Sequence, residues 1–195
     1  MGLNERIIKR CSLGKDFDED HPILYSLGAP VAEDVDRIVT SVDMKVGAYT
    51  IAAQPDIARN ITVTRTVVDA ADTPGTIIVT GTNIAGDIIS EVITPGAHGI
   101  TVYGTKAFKT VASVVGAGWA KGGTTADTIE VGVGKALGVP VTMSAQADCV
   151  LGVLGTAITA VTVAVGTPAT LEASTVDMST GTYNGSKRAL VWITG

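Results

Sequence analysis

The sequence predicts an all-β protein: an antiparallel sandwich of jelly-roll-like or barrel-like form, with an extended arm at its N-terminus. Three observations predict it. Residues 59–134 read RNITVTRTVVDAADTPGTIIVTGTNIAGDIISEVITPGAHGITVYGTKAFKTVASVVGAGWAKGGTTADTIEVGVG, and their β-branched residues alternate with the two-residue period of a strand. Turn formers (Thr73-Pro74-Gly75, Gly81-Thr82-Asn83, Pro95-Gly96, Gly122-Gly123) interrupt this stretch at about the eight-to-twelve-residue spacing of short antiparallel strands. The chain is 46% hydrophobic but only 4% aromatic, with 23 glycines in 195 residues. Val, Ile, Ala and Leu therefore supply the apolar bulk, which suits thin sheet layers.

Residues 1–36 form the predicted arm and residues 37–195 a single β domain, with its core module at about 59–134. The arm is densely charged, and Ile7, Ile8, Leu13, Ile23, Leu24, Tyr25 and Leu27 are scattered among the charges without a sustained period. Pro22 and Pro30 oppose a long helix. Those seven apolar residues have little of their own to cover, so they are the predicted contacts of an arm docked on a neighbouring subunit.

The strands follow in order. Residues 38–44 alternate, and Gly47 separates them from a second strand at 48–53. Gln54-Pro55-Asp56 turns the chain into a strand at 61–67, where Ile61, Val63, Arg65 and Val67 share one face. Thr62, Thr64 and Thr66 share the other, a half-wet face expected at an outer surface or subunit contact. Further strands are expected at 76–80, 87–94, 108–115 and 129–133. In the last of these, Gly132 and Gly134 predict close approach by another backbone or an aromatic ring. Residues 139–143, 157–165, 170–174 and 189–194 complete the set, with turns at Gly166-Thr167-Pro168 and Asn184-Gly185.

Charge and motif content exclude several classes. A net charge of −5 and a pI near 4.9 argue against a nucleic-acid binder, which needs Lys and Arg to displace counterions from phosphates. The N-terminus has no apolar stretch of signal-peptide length, and the most apolar run, 149–165, is too short and too polar to span a bilayer. No membrane partner and a cytoplasmic site of synthesis are expected. Cys11 and Cys149 make no disulfide framework; whether they pair is left open.

No enzyme chemistry, cofactor or metal site is predicted. His21 and His98 are the only histidines and stand in no metal-ligand spacing. Asp16, Asp18, Glu19 and Asp20 evoke a calcium loop, but His21 stands where its glycine belongs. Gly116-x-Gly118 and Gly132-x-Gly134-Lys135 lack the remaining residues of either nucleotide-binding fingerprint. Asn60-Ile61-Thr62 and Asn184-Gly185-Ser186 fit a glycosylation pattern that carries little weight in a chain without a secretory signal. Tyr103 and Trp119 are the candidates for stacking on a sugar, and Glu91 and Glu130 the only strand glutamates of the central stretch.

The order Arg59-x-Ile61-x-Val63, Val79-x-Gly81-Thr82-Asn83-x-x-Gly86, Glu91-x-Ile93, Gly104-Thr105-Lys106-Ala107-Phe108-x-x-Val111 resembles a small β module of tailed-bacteriophage virion proteins. Capsid decoration (cement) and other head-associated proteins are the most similar kind. The resemblance covers residues 59–134 and brings no catalytic residues with it. It implies a virion structural protein on the capsid surface, a homo-oligomer, by preference a homotrimer, whose partner is the major capsid protein. Such a protein bridges adjacent capsid subunits and stabilises the expanded shell by binding only that form. A neck, tail-tube or head-fibre protein is the alternative implied by the same module, and a carbohydrate-binding or adhesin module is a further one.

Overall fold

The structure, a computed structural model, describes residues 22–194. The strands are β1 (Ile23–Gly28), β2 (Asp34–Asp43), β3 (Gly47–Ala48), β4 (Arg59–Thr66), β5 (Thr76–Thr82), β6 (Ile88–Ile93) and β7 (Thr101–Phe108). They continue with β8 (Thr110–Ala117), β9 (Thr128–Gly138), β10 (Cys149–Leu154), β11 (Ala157–Thr159), β12 (Thr162–Ala164), β13 (Thr175–Asp177) and β14 (Ala189–Ile193). They form three sheets, ordered β1-β14-β10-β11, β12-β13-β9-β4-β7 with β2 also on β9, and β3-β8-β5-β6. Every pairing is antiparallel. The all-β class expected from the sequence is what the chain adopts.

β9 is the spine. At eleven residues it is the longest strand, and it pairs with β4 along one edge and with β2 and then β13 along the other. Its Ile129, Val131 and Val133 enter a core closed by Ile61 and Val63 of β4 and by Ile77, Val79, Ile89 and Val114 of the third sheet. That is a two-sheet sandwich. Its Leu137 enters a second core with Leu27, Met143, Leu154, Val176, Met178, Val191 and Ile193. Each such fully buried aliphatic side chain stabilises the fold by about 1.5–3 kcal/mol.

Several expectations are corrected. Within the predicted arm, 1–36, two segments are strand: β1 lies along β14 with Ile23 opposite Ile193, and β2 starts at Asp34. Charge hid the start of β2, whereas β1, ILYSLG, carries none but has no two-residue alternation to mark it. The threonine face of β4 is not outward. Thr62 and Thr64 are buried, since β4 lies between β7 and β9 and is covered on both sides. Residues 139–143 and 170–174 supply the buried Val139, Met143 and Ala173 but form no strand; Pro140 interrupts the first, and Met143 N–H donates to Ser174 Oγ at 2.9 Å. Residues 157–165 split between β11 and β12, in different sheets. Of 48–53 only Ala48 is in a strand, because Tyr49 turns inward and its hydroxyl bonds the backbone of Lys45.

The glycine expectation for β9 is met in one case. A Cβ on Gly132 would lie 2.1 Å from the Asp34 carbonyl oxygen, because β2 bows across β9 there. Gly134 instead makes room for a side chain, Asn60.

Candidate functional site

Two surfaces stand out, and each follows from the sheet geometry. The first is the outer face of the third sheet. The inward residues of β5 are Ile77, Val79 and Gly81, so Thr76, Ile78, Thr80 and Thr82 face out. Register then places Val92, Ser90 and Ile88 of β6 beside them on one flank, and Ala117, Val115 and Ser113 of β8 on the other, with Ala48 of β3 beyond. No charged residue occurs among these positions. Ile88 is 83% exposed and Val92 62%.

Four hydroxyls on and beside this face are bonded in pairs. Thr82 Oγ1 and Thr110 Oγ1 are 2.7 Å apart, Thr80 Oγ1 and Ser90 Oγ 3.3 Å, and Ser90 Oγ also donates to the Val79 carbonyl at 3.0 Å. Cross-strand threonine and serine pairs stabilise the sheet. They also lower the cost of removing the face from water, since the polar atoms keep partners when it is covered. Monomeric proteins seldom leave such a contiguous face bare.

The second surface is a groove at a double bulge in β4. The ladders from β4 to both β7 and β9 slip in register around Asn60. The Asn60 amide fills the gap: its nitrogen donates to the Gly104 carbonyl and its oxygen accepts from Ala136 N–H, each at 3.1 Å. Over this bulge lie two adjoining hollows of about 420 Å³ each, sharing Ala136, Ala164 and Thr175 as walls. One is bordered by Tyr103, Lys135, Thr162 and Asp177, the other by Gly104, Thr105 and Thr167. Bulges re-aim side chains and recur beside binding sites.

Charge within the groove is nearly balanced. Lys135 Nζ lies 3.5 Å from Glu33 Oε2. The Glu33 carboxylate, with burial and the charge of Asp177, pushes the Tyr103 phenol up to about 12. Tyr103 is 46% exposed and lines the hollow, so it presents a neutral aromatic donor there.

The predicted site residues divide. Ile7, Ile8 and Leu13 lie outside the described residues, as do the 16–20 acidic cluster, His21 and Cys11. Ile23 and Leu24 are exposed on β1, Tyr25 is half-buried, and Leu27 is in the second core. Ile23, Leu24, Tyr25 and Leu27 do not line the groove. Trp119 is buried with its indole N–H on the Thr76 carbonyl at 3.1 Å, which leaves Tyr103 as the exposed member of the proposed stacking pair. Glu91 is engaged by Thr105 N–H at 2.6 Å and its hydroxyl at 2.9 Å. His98 accepts Val67 N–H through Nδ1 at 2.9 Å. Among the described residues, no group of three or more His, Cys, Asp and Glu side chains could hold a metal ion.

Sequence reasoning missed both surfaces for one reason: each depends on which strands are neighbours. The signals were the lack of charge in TIIVTGT and IISEVI apart from Glu91, and Tyr103 as an aromatic able to stack. Comparison with family models, with curated proteins and with solved structures finds no match for this chain.

Proposed function

We propose that this protein is a non-enzymatic structural subunit, of the capsid-decoration type, which functions by occupying surface in an assembly. The uncharged outer face of the third sheet carries the reading. A chain of net charge −5 repels its own copies, and this face, free of charge and with four of its hydroxyls paired, is where a second copy can approach with least of that penalty. The face is therefore its contact with another copy. Face-to-face packing of two such sheets gives a dimer, whereas a trimer requires the face to meet a different patch on the next copy. The capsid surface and the major capsid protein as partner rest on the resemblance of residues 59–134 to virion β modules.

Sedimentation of the full chain against a variant carrying Ile88→Lys and Val92→Lys tests the contact. An oligomer that the double variant converts to monomer supports it; a monomer at all concentrations, or an oligomer indifferent to the two lysines, sinks it. The place in a particle is tested by copy number in purified virions, counted against the most abundant shell protein. A simple fixed fraction supports a decoration protein. A few to a few tens of copies moves it to neck, tail or fibre, and absence removes the virion reading.

A further inference from the structure

The groove over the Asn60 bulge is unused by the assembly reading and stands independently of it. The two strand edges beside it are sealed. Glu91 accepts the backbone N–H groups of Thr105 at 2.6 Å and Lys106 at 3.4 Å on β7. On the far wall, Gln146 donates to the Val161 carbonyl at 3.1 Å and accepts Val163 N–H at 2.8 Å, closing β12. Asn60 closes the gap between them. A peptide adding as a strand needs free backbone donors and acceptors, and side chains already hold these. A ligand here must be read by side chains.

What those side chains offer is specific. Tyr103 gives an aromatic face with a phenol that stays protonated. Thr162 and Thr167 give exposed hydroxyls, each both donor and acceptor. Ala136, Ala164, Gly104 and Ala173 leave the floor low. The ammonium of Lys135 is partnered by Glu33, so among the described residues the groove has no spare positive charge to select an anion, and Asp177 opposes one. An open trough with one aromatic face, exposed threonine hydroxyls and little net charge matches a polyhydroxylated ligand with apolar ring faces. We propose that this groove binds a neutral saccharide chain, with one sugar ring stacked on Tyr103 and a neighbouring hydroxyl bonded to Thr162.

The test uses the full chain on an array of neutral and acidic oligosaccharides, with hits titrated by calorimetry. At least one neutral glycan is expected to bind. Tyr103→Ala should weaken it at least about tenfold and Tyr103→Phe much less, since stacking survives loss of the hydroxyl. Thr162→Val, at an exposed position where folding is not at stake, should weaken it too, and Lys121→Ala, in a distant loop, should not. No bound neutral glycan, binding only of acidic glycans, or affinity unchanged in both Tyr103→Ala and Thr162→Val overturns the proposal.

Discussion

At the scale of single residues, two buried ion pairs show what the sequence spends on joining loops to strands. Arg59 is fully buried; its Nε donates to the Gly134 carbonyl at 2.7 Å, and one terminal nitrogen donates to Val31 at 3.1 Å and to Asp56 at 2.9 Å. Asp56 in turn accepts Val31 N–H. Removing one member of such a pair strands the other charge, so Arg59→Ala should cost about 3–5 kcal/mol in urea unfolding. Asp127 is the second case, accepting Val68 and Asp69 N–H at 2.7 and 3.1 Å and Arg65 Nε at 2.7 Å. Burial alone would raise its pKa, but the two N–H groups and the guanidinium more than offset this and hold it below the ordinary range. A depressed folded-state pKa gives stability that is present above about pH 4 and lost as pH falls through the folded value. Thermal melts from pH 6 downward should therefore show a steep acid limb, shallower in Asp127→Asn. An equally steep limb in the variant would assign the acid sensitivity elsewhere. Asp56, lowered by Val31 N–H and Arg59 against its own burial, acts in the same direction.

At the scale of elements, side chains repeatedly stand in for a missing strand. The Gln54 amide both accepts Val111 N–H at 2.8 Å and donates to its carbonyl at 3.0 Å, where β8 bulges against β5. Asn60, Glu91 and Gln146 do the same elsewhere. This is why part of the fold was legible and part was not. Alternation and turn chemistry located β5, β6, β8 and β14, whose own residues alternate whatever their ladders do. They could not reveal that Asn60, which fits a glycosylation pattern, is buried with both amide atoms engaged, because its role exists only between β7 and β9. Nor could they find β7, whose TVYGTKAF contains a glycine and a lysine. Gly134 tests the bulge: a Cβ there would sit 2.5 Å from Asn60 Oδ1. Gly134→Ala should cost about 1–3 kcal/mol, the scale of overpacking, and hydrogen exchange at Ala136 should accelerate. In Gly86→Ala a Cβ meets nothing within 4 Å, but φ is +95°; that change should carry the backbone cost alone and leave Ala136 protected.

At the scale of the molecule, two cores share one strand, and a tryptophan reports on each: one inside the first, one on the outer face of a strand that lines the second. Trp119 lies in the sandwich core, while Trp192 on β14 stands opposite Leu24 of β1 and Leu151 of β10. β1 matters to only one of them. It covers an edge of β14 and inserts Leu27 into the second core. A chain starting at Ala29 loses that burial and opens the β14 edge, whereas a chain starting at Pro22 keeps both. The difference in stability between these two truncations measures β1, whatever residues 1–21 do. Read through Trp192 in a Trp119→Phe background, the shorter chain should unfold at distinctly lower urea. Read through Trp119 in a Trp192→Phe background, its midpoint should move far less, since β4, β5, β8 and most of β9 are untouched. Were both midpoints to fall together, β9 would couple the cores into one cooperative unit, and loss of β1 would be felt throughout the fold.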